Sequence, residues 1–363
     1  MNKSEFVNKI NEIEKTTHFK MLLLNNFMLK NGVDGPELSN GTKTYKVENY
    51  FQFLQRVGLG CSTLTNPKFS EPKRFEIEEF INTVLSSTID FYSKVYVRDD
   101  RLLALHSKDY KILQISELVK TLENEISKKY EKFEFLNGYY SDEFTIVDYE
   151  ILDRKTLKKY NKALLDRPNA DSKIVVRLVT SNLGLSGANL YPYFLFRTDP
   201  TANYRMFPVT GKKIILEHKG TADMDKFARN CKELFPLVEL LPENLEKLKQ
   251  VRIENPVATI LNLADKVQIP VKYVADIAED VNFLYQDESA TADEIYKFFA
   301  QVVDFVSSDV EKMQLSEKVG KAINILLENR KSVDIPVTKW KRITFVSSID
   351  QEAMDQMDFG EVA

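Results

Sequence analysis

The sequence contains few of the residues that characterise secreted, fibrous or metal-rich proteins. Of its 363 residues, 2 are Cys and 3 are His, and the two cysteines, Cys61 and Cys231, form no CxxC motif. Sparse cysteine is typical of a reducing compartment, although one bridge between these distant residues stays open. The 12 Gly and 12 Pro residues are too few for a fibrous protein or for long disordered segments.

Long apolar runs and targeting signals are missing as well. Residues 1–15 mix Lys and Glu and lead into no apolar block, so we expect no signal peptide. The longest apolar runs, such as residues 21–24, are far shorter than the roughly 20 residues that cross a bilayer. We therefore expect a soluble, cytoplasmic protein with no membrane partner.

The pattern of apolar residues predicts an α+β fold. Residues 4–30 have helical spacing and are interpreted as one or two helices, while residues 93–97 and 102–105 flank a polar turn and predict a hairpin. More strands are predicted up to residue 217, with a helix from Ser116 to about Lys129 between them. After Gly220 the segments are helical, and Pro236, Pro242, Pro256 and Pro270 are expected to separate them.

These segments predict an antiparallel or mixed sheet followed by an α-helical C-terminal domain. We divide the chain into a mostly helical region at 1–92, an α+β sheet domain at 93–220, a helical domain at 221–340 and an acidic tail at 341–363. The last fourteen residues contain five acids and no base. We expect this tail to bind a protein partner or to compete with nucleic acid for the basic surface of the protein.

The charge distribution is the most informative feature. Residues 173–216 contain six bases and a single acid, Asp199, whereas the whole chain has a net charge of −4. Because cations attract phosphate and aromatic rings stack on bases, this combination predicts binding of single-stranded nucleic acid. The predicted phosphate contacts are Lys173, Arg177, Arg197, Arg205, Lys212 and Lys213, and the predicted stacking residues are Tyr191, Tyr193 and Tyr204.

A structural interpretation of the same segment stays open. Apolar and aromatic residues occupy both faces of the stretch 191–197, so it would also suit a central strand in which Arg197 pairs with Asp199. The turn before it, Thr180–Gly187, has hydroxyl groups and flexible amides suited to holding an anion.

No motif predicts catalytic residues, a metal site or a cofactor. The GxG at residues 58–60 has Thr63 where a dinucleotide-binding loop needs its third glycine, and Lys213 replaces the Ser or Thr of a phosphate-binding loop. Carboxylates at 142–143 and 148–153 leave open a metal-dependent nuclease whose ligands meet only in three dimensions.

Residues 263–277 are similar to a helix-turn-helix. Gln268 stands where that motif usually has Gly, and Asp276, Glu279 and Asp280 in the second helix would repel phosphate. A plain helical hairpin is therefore favoured. The positions expected to pack its two helices together are Ala264, Ile269, Val274 and Ile277.

Several short motifs resemble a family encoded by phages and plasmids, the domain of unknown function 932. They are KDYKI at 108–112, GYY at 138–140, VTSNLG at 179–184 and ATADEIY at 290–296. The resemblance runs from about Val95 to Val306 and carries over no catalytic residues. It implies a genomic setting of mobile elements and DNA-processing genes in a bacterial host cell.

Together these observations predict a non-catalytic DNA-handling protein of a phage or plasmid that binds single strands and anneals or protects them during recombination. Self-association is left open. The alternatives are an interaction or structural protein of a phage, such as an assembly component or an inhibitor of host defence, and the metal-dependent nuclease.

Overall fold

A computed structural model describes residues 1–32, 35–59, 71–88, 91–164, 171–197, 201, 204–208, 213–285 and 288–336. The chain forms two compact units, and each is built from separate stretches of sequence. Unit 1 comprises Met1–Arg154, Ile174–Pro192 and Lys213–Pro236, and unit 2 comprises Lys155–Lys173, Tyr193–Lys212 and Leu237–Ala363. The units are thus interleaved along the chain. The division into four consecutive regions stays a prediction.

Unit 1 begins with a helix that ends much earlier than predicted. Asn2 and Glu5 form a capping box at the start of α1 (Lys3–Thr16). The chain then enters β1 (Thr17–Leu23), so the prediction of helix up to residue 30 is wrong from Thr17 onwards. The cause is tertiary, because all seven residues of β1 pair antiparallel with residues 92–98.

β1 is one edge of a six-stranded mixed sheet with the order β1-β5-β6-β4-β3-β2. The predicted hairpin is confirmed as β5 and β6, joined through Asp99 in a left-handed conformation with φ of 55°. Residues of α2 (Tyr50–Arg56) and α3 (Glu71–Ser87) belong to the apolar core formed with these strands. The remaining bounds are β2 (Met28–Gly32), β3 (Gly35–Ser39), β4 (Thr44–Val47), β5 (Tyr92–Arg98) and β6 (Arg101–His106).

Antiparallel strands also form the second part of unit 1. β7 (Phe133–Tyr140) pairs with β8 (Thr145–Ile151), which pairs with residues 174–180 of β9 (Asp171–Thr180). β10 (Ala188–Arg197) pairs with β12 (Ile214–Leu216) within unit 1 and, further along, with β11 (Arg205–Pro208) within unit 2. α4 (Ile115–Lys129) lies between the two sets of strands in sequence, as predicted.

The C-terminal region is helical, which confirms the predicted α+β class. α6 (Met224–Lys249) contains both Pro236 and Pro242, so the breaks expected at these two prolines are wrong. A proline within a helix removes one hydrogen bond and bends the helix without necessarily ending it. The other elements are α5 (Arg154–Leu164), β13 (Arg252–Ile253), α7 (Pro256–Lys266), α8 (Ala275–Tyr285), β14 (Ala290–Thr291), α9 (Ala292–Ala300) and α10 (Asp309–Glu328).

The hairpin of α7 and α8 is confirmed at the level of packing. All four residues expected between its helices are buried, and Gln268 has a φ of 57°, the left-handed conformation that Gly adopts at this position of a helix-turn-helix. Within the described residues, no helix has the length and apolar character needed to cross a membrane.

Candidate nucleic-acid interface

Arg177 does not lie where a phosphate contact is expected. It is opposite Asp148 in the register of β8 and β9, and both side chains are buried. Arg177 Nε and Nη2 donate to the two carboxylate oxygens of Asp148 at 2.6 and 2.7 Å. This bidentate geometry satisfies each charge with the other, so Arg177 is a structural residue of the sheet.

Tyr191 and Tyr193 are also placed differently from the prediction. Their exposed fractions are 5% and 3%, and Phe194, which follows Tyr193, is fully buried. A ring that is enclosed on both faces cannot stack on a nucleotide base without displacing the residues around it. This part of β10 therefore follows the alternative interpretation of a central strand.

The three predicted residues that do come together are Lys173, Arg197 and Tyr204, all in unit 2. Lys173 Nζ lies 5.3 Å from the centre of the Tyr204 ring, and Arg197 Cζ lies 4.7 Å from it. All three residues are half-buried. The negative face of the aromatic ring attracts cations, so Tyr204 interacts favourably with both positive side chains.

The other predicted phosphate contacts, Arg205, Lys212 and Lys213, do not belong to this cluster as far as the structure describes them. Arg205 begins β11 opposite Phe196 of β10, while Lys212, like Asp199, lies outside the described residues. Lys213 is half-buried and belongs to unit 1. The predicted pairing of Arg197 with Asp199 stays a prediction.

A basic helix, α5, was missed by the sequence analysis. Arg154, Lys155, Lys158 and Lys159 are all exposed, whereas Leu157 is half-buried. At 100° per residue the four cations fall within 140° of one another, so they form a single basic face. Five bases without an acid between residues 154 and 162 were the available signal. They precede Lys173 and so lay outside the segment first selected.

The turn Thr180–Gly187, considered as an anion site, is held by its carbonyl groups. The Asn182 carbonyl accepts from His106 Nε2 at 2.8 Å, and the Leu183 carbonyl accepts from Gln52 Nε2 at 2.6 Å. Gly184 is suited to this turn because its φ is 79°. The turn is thus fixed to the first sheet by these hydrogen bonds.

The two imidazoles beside this turn are buried and stack on one tyrosine. The ring centre of Tyr110 lies 3.8 Å from that of His106 and 4.9 Å from that of His218, and both pairs are nearly parallel. Burial lowers the pKa of His106 to about 4 and also lowers the pKa of His218. At neutral pH both rings are therefore uncharged and add no attraction for an anion.

A metal centre finds no support in the part of the chain that the structure describes. No group of three or more His, Cys, Asp or Glu residues there is arranged to hold a metal ion. Asp148, one of the carboxylates considered for a nuclease, has both oxygens bonded to Arg177. The nuclease alternative has no cluster of ligands within these residues.

Comparison with known proteins assigns no family. No protein-family model, no curated protein and no solved structure matches the chain. The candidate interface therefore rests on the geometry of α5 and of the Lys173–Arg197–Tyr204 cluster, and the resemblance to the domain of unknown function 932 stays a prediction.

Proposed function

We propose that the protein binds single-stranded nucleic acid through unit 2, using the basic face of α5 and the Lys173–Arg197–Tyr204 cluster. The observation that carries this proposal is the placement of two cations on one aromatic ring, in the same unit as the exposed lysines of α5. Cations beside aromatic rings are the chemistry that binds a flexible phosphate backbone with little regard to sequence.

The lysines of α5 supply the long-range attraction in this proposal. Lys155, Lys158 and Lys159 are exposed, so their ammonium groups can neutralise phosphates and release the counterions condensed on the nucleic acid. With about five phosphates neutralised, the single-strand salt slope gives an affinity loss on the order of a hundredfold between 50 and 200 mM salt.

Tyr204 has a different role from the base stacking first expected. Its ring already contacts Lys173 and Arg197, so we assign it as a positioning residue that presents the two cations to neighbouring phosphates. Arg197 can contact a phosphate through two parallel N–H groups, which fixes the backbone more precisely than a lysine does.

The biological role that fits this chemistry is non-catalytic handling of single-stranded DNA, by annealing or protection, in a phage or plasmid. The acidic tail would compete with DNA for the cations or bind a replication partner. These assignments rest on the sequence resemblance and on the charge of the tail, which contains five acids in residues 350–363.

Fluorescence anisotropy with a labelled single-stranded oligonucleotide tests the proposal. The protein is titrated at 50 to 200 mM salt, with and without magnesium. We expect binding that weakens with salt and is lost in the variant Lys155→Glu/Lys158→Glu/Lys159→Glu. Shortening of the oligonucleotide in magnesium would support the nuclease instead.

A matched control separates the site from overall charge. The variant Lys9→Glu/Lys15→Glu/Lys20→Glu changes the net charge by the same amount at exposed residues of α1 and β1. We expect it to bind within about threefold of the wild type, since screening limits the reach of distant charges. Equal losses in the two variants would show that unit 2 has no specific interface.

A further inference from the structure

The outward face of α8 combines acidic and large apolar side chains. Asp276, Glu279 and Asp280 are exposed, and Phe283 and Leu284 follow with exposed fractions of 77% and 56%. Their spacing of i, i+3, i+4, i+7 and i+8 places all five on one face of the helix.

Among the residues that the structure describes, this face of α8 is exposed, whereas the opposite face is packed. Ile277, Ala278 and Val281 are buried, and α8 contacts α7 and α9. Two adjacent large apolar residues at such exposure mark a surface that binds something. The three carboxylates repel phosphate, so nucleic acid does not suit it even though the hairpin resembles a helix-turn-helix.

The complementary surface is present in the chain itself. Lys155, Lys158 and Lys159 of α5 are exposed. We propose that α8 of one molecule binds α5 of a second copy of this chain, with the two helices antiparallel.

The antiparallel register brings unlike charges opposite each other throughout. Placing Lys158 against Asp280 also places Lys159 against Glu279, because each helix carries two like charges at adjacent positions. The same register sets Lys155 against Phe283. There the aliphatic stem of the lysine covers the ring, and its ammonium group gains a cation–π contact.

The contact is small, so the association is weak and depends on salt. An 11-residue helix is about 16 Å long, and one face of it buries far less than the roughly 800 Å² per partner of a stable complex. Exposed ion pairs contribute little individually and are screened by salt. Self-association is therefore expected only at high micromolar protein and at low salt.

Sedimentation velocity without nucleic acid tests the pairing with two charge-reversed variants of the full chain. One is Asp276→Lys/Glu279→Lys/Asp280→Lys, and the other is the α5 variant Lys155→Glu/Lys158→Glu/Lys159→Glu. We expect the wild type to associate between about 10 and 200 μM, and each variant alone to stay monomeric. An equimolar mixture of the two is expected to associate again. In a mixed pair, α8 of either variant faces α5 of the other variant, and the charges on these two helices are then opposite.

Two further variants sharpen the test, and circular dichroism with thermal melting checks that every variant is folded. Phe283→Ser is expected to weaken the association at least fivefold. Glu12→Lys/Glu76→Lys/Glu79→Lys, which reverses exposed acids of α1 and α3, is expected to leave it unchanged. A monomeric wild type at 200 μM, or a mixture that fails to associate, would overturn the proposal.

The result is independent of the proposed function. The α8 variant keeps every cation of α5, so it is expected to bind the labelled oligonucleotide at least as well as the wild type. If the wild type does not bind the oligonucleotide, the nucleic-acid proposal is refuted, and the sedimentation result is unaffected.

Discussion

Two consecutive stretches of equal length use positive charge in opposite ways. Residues 155–173 contain six bases and two acids, and Lys155, Lys158 and Lys159 among them are exposed. Residues 174–192 contain one base, Arg177, which is buried on Asp148. A cation in a strand with two buried faces needs a carboxylate partner, whereas a cation on an amphipathic helix needs only water. The local structure around a charge therefore decides whether the charge is paired inside the fold or exposed to solvent.

The largest expected effect comes from breaking the buried pair. Arg177→Met leaves Asp148 ionised without its partner, and we expect it to lower the free energy of unfolding by about 3–5 kcal/mol, measured by urea denaturation. Arg177→Met/Asp148→Leu is expected to recover most of that loss. It is also expected to bind the oligonucleotide normally. A folded double variant that does not bind the oligonucleotide would indicate that Arg177 contacts nucleic acid after all.

The next effect concerns pH and His106, a buried histidine that donates to the Asn182 carbonyl in the second stretch. The pKa of His106 is about 4 in the folded state, lowered by burial and then by His218, Arg56 and Lys94, against an ordinary value of 6.5. The unfolded state thus binds more protons between these values, so stability is complete above pH 6.5 and is lost as the pH falls towards 4. The loss is on the order of 3 kcal/mol.

Urea denaturation from pH 7 to pH 4 measures this dependence. The variant His106→Gln can still donate to the Asn182 carbonyl but has no group that titrates in this range, so we expect a flatter profile. An identical slope in the variant would show that His106 is not the group responsible. His218 is the other candidate, since burial lowers its pKa too.

A smaller effect is expected from the aromatic ring beside Lys173, the last residue of the first stretch. Tyr204→Leu removes the ring that holds Lys173 and Arg197, and we expect an affinity loss of about tenfold, near 1.4 kcal/mol. Tyr204→Phe keeps the ring and serves as the control, with an expected change of less than twofold. Equal losses in both variants would indicate that the hydroxyl group, not the ring, matters.

Charge reversal at Arg197 and Arg205 tests whether the cluster contacts the phosphate backbone at all. We expect Arg197→Glu/Arg205→Glu to abolish detectable binding while the protein remains folded by circular dichroism. Arg197 lies over the Tyr204 ring, and Arg205 is the residue that directly follows Tyr204 in the chain. Normal affinity in the folded variant would contradict the assignment of these residues.

Local signals predicted the parts of the fold that depend on neighbours in sequence. The β5–β6 hairpin follows from a polar turn between apolar strands, and the α7–α8 packing follows from helical spacing. β1 was mistaken for helix because its structure depends on pairing with β5, whose partner residues lie 69 to 81 positions further along the chain. Such long-range pairing overrides local propensity and is invisible to a periodicity argument.

The candidate site was predictable only in part, for a related reason. The charge pattern identified Lys173, Arg197 and Tyr204, but nothing local distinguishes them from Arg177, whose partner Asp148 is 29 residues earlier in the sequence. The basic face of α5 was within reach, since its lysines recur at helical intervals. It was missed because the segment was chosen by charge density and not by secondary structure.

The Arg177–Asp148 pair also has a consequence for how the strands find their alignment. Sliding β8 past β9 by one residue would place Asp148 and Arg177 on opposite surfaces of the sheet, with Val147 or Tyr149 across from Arg177. Two unmatched ions in an apolar interior cost far more than the lost hydrogen bonds alone. The ion pair therefore disfavours shifted registers of these two largely hydrophobic strands during folding.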